Sequence, residues 1–116
     1  MSLTIGVDLG GTNTRAGLVT ESGEVVGRAR RPTRLDLGAD GIVEGIAECA
    51  REAAKDGGVS LTDVQGVGVG APGPLDPFEG VMISPENLQC MHGVRLKDQL
   101  EALLGLSVSV DNDANL

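Results

Sequence analysis

An α/β domain built on a mixed sheet, in the order β-β-β-α-β-α-β, is the fold class these 116 residues predict. Three features carry that reading. Apolar, β-rich runs separated by short turn signals open the chain, and a helical apolar period replaces them near Asp40. The small-plus-valine run at residues 65–71 then has the continuous character of a strand in a parallel sheet.

Residues 4–9 and 14–20 read as strands joined at Gly10-Gly11, because a glycine pair between β-rich runs marks a tight hairpin. A third strand, 24–33, follows the Glu21-Ser22-Gly23 turn, so the chain opens as an antiparallel meander. Arg28 and Arg30, two residues apart, share one face of that strand and read as a solvated edge. From Asp40, the expected N-cap, Ile42, Ile46, Cys49, Ala50, Ala53 and Ala54 recur at helical spacing until Gly57-Gly58 stops the helix. The strand at 65–71 is expected to be buried on both faces, its glycines marking close approach by backbone or ligand. Residues 72–93 read as a long loop punctuated by Pro72, Pro74, Pro77 and Pro85, with a short extended piece at 81–83. Long ordered loops are usually functional. Leu96, Leu100, Leu103 and Leu104 then mark an amphipathic helix closed by Gly105, and 106–110 gives a last strand.

Charge and composition narrow the function classes. A net charge of −8 and a pI near 4.4 argue against nucleic acid or an anionic membrane as partners, since a phosphate backbone rewards clustered Lys and Arg. No leader pattern and no apolar run of about 18 residues occurs, which implies a cytoplasmic protein. Cys49 and Cys90 lack any metal-ligand spacing, so no zinc site is expected here, and Cys49 reads as core. Cys90 and His92 are close in sequence but lack a third orienting group, which argues against a catalytic pair. With Phe78 the one aromatic residue, the core must be aliphatic and ring stacking on ligands is largely unavailable.

Three short motifs carry chemistry. The first hairpin surrounds its glycines with Asp8, Thr12, Asn13 and Arg15, an acid, polar side chains and a cation about a turn whose N–H groups can approach a phosphate. Gly68-Val-Gly-Ala-Pro-Gly73 matches the dinucleotide expression, yet Pro72 and Pro74 flank Gly73 and no helical period follows to face a pyrophosphate. It reads better as a strand running into a rigid corner. The third motif, Val110-Asp111-Asn112-Asp113-Ala114-Asn115, puts carboxylates and amides at a strand end, where open parallel sheets collect ligands. The same residue types also favour turns and helix caps.

Taken together, Asp-x-Gly-Gly-Thr, Gly-Ala-Pro-Gly-Pro and Asn-Asp-Ala-Asn in this order resemble the N-terminal lobe of the ROK family of sugar kinases and repressors, from Ile5 to Asn115. That family belongs to the actin and hexokinase superfamily with a ribonuclease H-like core. The resemblance implies that residues 1–116 form the N-terminal lobe of an ATP-dependent hexose kinase, glucose preferred, whose C-terminal lobe lies outside this chain. By similarity, Asp8 holds Mg²⁺ through water, Gly11, Thr12 and Asn13 line the ATP phosphates, and Arg15 stabilises the transferred phosphoryl group. Asp113 corresponds to the catalytic base that takes the proton of the sugar's 6-hydroxyl, and Gly73, Glu86 and Asn112 lie on the sugar side. A neighbour, Asn87, has no assigned contact. Met91 stands where many members carry tryptophan, a departure that touches loop packing rather than chemistry. Zinc is implied only for the C-terminal lobe, along with the adenine site and much of a homo-oligomer interface, so the isolated lobe is expected to be inactive. Two alternatives stand beside this reading. One is the sugar-sensing lobe of a ROK repressor, disfavoured because only Met1-Ser2-Leu3 precedes the first strand; the other is an autonomous actin-like binding half-domain.

Overall fold

Alternation along the first strand decides which face of the sheet is covered. In β1 (Leu3–Leu9) the side chains of Leu3, Ile5, Val7 and Leu9 are buried, while Thr4, Gly6 and Asp8 are exposed. Each of those four apolar side chains contributes about 1.5–3 kcal/mol by leaving water. The computed structural model describes residues 2–71, 75–76, 81–82 and 94–112. β1 pairs antiparallel with β2 (Asn13–Thr20), which pairs antiparallel with β3 (Val25–Pro32), as the meander predicted. On the other side β1 pairs parallel with β4 (Gly66–Ala71), and β4 with β7 (Ser107–Asn112), giving the sheet order β3-β2-β1-β4-β7. Two short strands, β5 (Leu75–Asp76) and β6 (Val81–Met82), form a separate antiparallel ladder within the region read as loop.

Both helices pack on the face that β1 buries. α1 (Gly38–Asp56) presents Ile42, Val43, Ile46, Ala47, Cys49, Ala50, Ala53 and Ala54, and α2 (Leu96–Leu104) presents Leu96, Leu100 and Leu104. These join Leu18, Val67, Val69, Val108 and Val110 in one aliphatic core. Polar contacts fix the docking. The Arg28 N–H donates to Asp56 Oδ2 at 2.8 Å, Arg51 donates to the Leu103 carbonyl at 3.0 Å, and the Val108 N–H donates to Glu101 Oε2 at 3.0 Å. Cys49 is fully buried with its Sγ 3.6 Å from the Thr14 carbonyl, and burial first, then the nearby Glu52 charge, pushes its thiol pKa up to about 11.

Three expectations need correction. Asp40 is not the N-cap: α1 begins at Gly38, directly after a 3₁₀ turn at Leu35–Leu37, and Leu37 caps it without a side-chain hydrogen bond. Helical backbone already precedes the helix, which leaves no extended residue for a capping side chain, and Asp40 sits in the first turn, where its charge suits the helix dipole. The strand at 65–71 is covered on both faces only near its end, where Val69, Gly70 and Ala71 are all buried. Its continuous appearance came from glycine: Val67 and Val69 point into the core, while the alternate positions Gly66 and Gly68 line the opposite, open face. The last strand runs two residues past the expected 106–110 boundary, because pairing of Asp111 with Gly70 and of Asn112 with Ala71 overrides the weak strand preference of Asp and Asn.

Candidate functional site

Parallel pairing brings three chain exits to one rim. Asp8 lies in register with Gly70, Gly70 with Asp111, and Ala71 with Asn112, so β1, β4 and β7 end together. Across two strand spacings, the ends of β1 and β7 are about 10 Å apart. The Gly10-Gly11-Thr12 hairpin leaves the sheet there, residue 72 follows from β4, and residue 113 follows from β7. Gly73, Glu86, Asn87, Cys90, His92 and Asp113 lie outside the described residues, as does the side chain of Asn112.

The hairpin is tight. The Gly10 N–H donates to the Asn13 carbonyl at 3.0 Å, and a Cβ on Gly10 would stand 2.8 Å from that same oxygen. Close approach therefore requires glycine here, and a left-handed backbone is not the reason. Thr12 is exposed, and Gly11 and Asn13 are half-buried. Behind the turn stands Thr33: its N–H donates to the Thr12 carbonyl at 2.8 Å and its hydroxyl donates to the Gly10 carbonyl at 2.8 Å. Its Oγ1 also lies 2.8 Å from Oγ1 of Thr14.

On the open face, strand register sets a row of charge beside the hairpin. Asp8 faces Arg15 on β2, and Arg15 faces Arg30 on β3, so three exposed charged positions lie side by side. Arg30 reaches back to Asn13 Oδ1 at 3.5 Å. The row borders a hollow of about 1130 Å³, where the glycine positions Gly6 and Gly68 leave the sheet backbone bare. One carboxylate at the end of the row with two cations following it, next to a turn with accessible N–H groups, suits an anion that carries its own metal. Among the described residues, no group of three or more metal-ligating side chains gathers. Asp8 alone matches the donor set of Mg²⁺ shared with substrate phosphates, which uses one or two carboxylates and several waters instead of a protein cage.

Sequence reasoning brought Asp8, Gly11, Thr12, Asn13 and Arg15 to this corner, and the structure brings those residues together. It missed two neighbours. Arg30 reads from sequence only as solvated edge; the alternation that makes it exposed also aligns it with Arg15. Thr33 carried no motif, and nothing local signals that it closes on the hairpin from a site about twenty residues away.

A mixed five-stranded sheet with two helices on one face and its parallel strand ends gathered at a glycine hairpin is a lobe of the actin and hexokinase-like fold, with a ribonuclease H-like core. Residues 4–116 match the ROK family, and the chain belongs to it. A glucokinase of Thermotoga maritima is 37% identical over 111 residues, covering 96% of this chain and 33% of the relative. The crystal structure of a ROK family glucokinase from Streptomyces griseus, in complex with glucose and AMPPNP, is 38% identical with a TM-score of 0.87, covering 98% of this chain and 34% of that one. A ROK hexokinase from Thermus thermophilus superposes with a TM-score of 0.87 at 32% identity, covering 97% of this chain and 36% of that one. This chain thus spans about a third of the length of the curated relatives it matches.

Proposed function

We propose that this chain is the N-terminal part of an ATP-dependent hexose kinase that transfers the γ-phosphate to a sugar hydroxyl, with glucose as substrate. The reading is carried by the rim on which the Gly10 hairpin and the ends of β4 and β7 converge beside the Asp8–Arg15 pair. It draws support from the ROK glucokinase that binds glucose and AMPPNP. Phosphoryl transfer asks for neutralised phosphates, an aligned hydroxyl and an acceptor for its proton. Gly11, Thr12 and Asn13 cradle the phosphates, and Arg15 offers a planar cation to the transferred group. When bound through Asp8, Mg²⁺ supplies further charge neutralisation. Asp113 takes the sugar proton late in the step, and Gly73, Glu86 and Asn112 orient the sugar. Water exclusion and alignment need a second wall to the cleft, so the isolated chain is inactive.

A coupled assay of sugar phosphorylation on the full-length protein tests this. Activity with ATP and glucose that falls by about a thousandfold or more in Asp113→Asn, with glucose binding retained, is the expected result. Absence of ATP-dependent phosphorylation of any hexose overturns the reading, and full turnover by residues 1–116 alone overturns the requirement for a second wall.

A further inference from the structure

We infer that Thr33 is a positioning residue for the phosphate-binding hairpin, acting through two carbonyls and not by touching nucleotide. The inference rests on the kinase reading above and deepens it. A hydroxyl has one proton and two lone pairs. Since the Thr33 hydroxyl donates to the Gly10 carbonyl, the 2.8 Å contact between Thr33 and Thr14 must have the buried Thr14 hydroxyl as donor. The chain of donors therefore runs in one direction, from Thr14 through Thr33 to Gly10. A second bond from the Thr33 N–H holds the Thr12 carbonyl.

Two of the hairpin's peptide planes are fixed in this way. In a trans peptide the N–H points opposite to the carbonyl. Drawing the Gly10 carbonyl toward Thr33 thus turns the Gly11 N–H away from it, and among the described residues that N–H donates to no group. A held donor of that kind is what an incoming phosphate needs, because alignment is then settled before binding. The connection is three residues long and half to fully exposed, so without this brace its peptide planes are free to rotate.

The test uses the full-length protein and titrates AMPPNP by calorimetry, with glucose binding measured in parallel. Thr33→Val keeps the shape and removes the hydroxyl; the expected result is a loss of AMPPNP affinity of about tenfold, glucose affinity within twofold of wild type, and recovery to within about threefold in Thr33→Ser. Should the valine variant fail to fold, Thr33→Ser against Thr33→Cys compares hydroxyl with thiol at similar volume, and the same loss of about tenfold is expected in the cysteine variant. AMPPNP affinity within twofold of wild type in the hydroxyl-free variant overturns the inference, as does a parallel loss of glucose affinity. If the wild-type protein binds no AMPPNP, the kinase reading falls first and this inference with it.

Discussion

Substituting Gly10 by alanine tests the hairpin geometry most directly. The new Cβ would lie 2.8 Å from the Asn13 carbonyl oxygen, where ordinary contact begins at 3.4 Å, so turn and strand must separate by about 0.6 Å. That oxygen also accepts the Gly10 N–H at 3.0 Å, and the same displacement carries the bond beyond useful length. Losing it costs about 1 kcal/mol, strain in the turn adds about as much, and the stiffer unfolded chain of alanine returns about 0.5 kcal/mol. The net expectation is destabilisation of about 1–2 kcal/mol, read as a fall of roughly 1 M in the urea midpoint. Because the turn carries the N–H donors, the Kd for AMPPNP on the full-length protein should rise by about tenfold or more. A variant with an unchanged urea midpoint and unchanged AMPPNP affinity would refute the claim that steric closeness is why glycine stands at this position.

Two further outcomes follow from packing and burial. Gly27→Ala puts a Cβ 2.3 Å from the Ala53 carbonyl and 2.7 Å from the Gly57 nitrogen, both backbone of α1 or its cap, so the helix must shift off β3. Calorimetry should show a loss of about 3 kcal/mol and a thermal midpoint lower by roughly 12 °C, whereas Gly17→Ala, whose Cβ meets Val25 Cγ1 at 3.5 Å and the Gly27 carbonyl oxygen at 3.9 Å, both ordinary contacts, should stay within about 1 kcal/mol. Equal midpoints for the two variants would contradict this. The buried Cys49 thiol keeps its proton up to about pH 11, while an unfolded thiol loses it near 8.5, so its contribution is complete below the unfolded value. Stability should then fall by up to about 1.4 kcal/mol per pH unit as pH rises through that window. The chain has no tyrosine, and urea midpoints at pH 8 and 10 in wild type and Cys49→Ala isolate the effect. An identical slope in both proteins would exclude it.

Much of the site was legible because its signals are local. Asp8, the glycine pair and Arg15 lie within eight residues, and a hairpin with strand alternation puts Asp8 and Arg15 opposite each other once the turn length is known. What escaped were long-range consequences. Thr33 closes on Gly10 only because β3 folds back along β2, and Arg30 joins the charged row only through pairing with Arg15. The start of β4 reads from sequence as buried on two faces but is open at Gly66 and Gly68, since a residue without a side chain gives no sign of which face is open.

The amino-acid order on its own determined the order of the main-sheet strands and both helices, the aliphatic core and the family, because periodicity, turn chemistry and short motifs act within a few residues. Tertiary structure alone decided the parallel register that ends β1, β4 and β7 at one rim and the threonine brace behind the hairpin. Those depend on contacts between residues far apart in the chain, whose pairing is selected by the joint burial of the whole core and by no single segment.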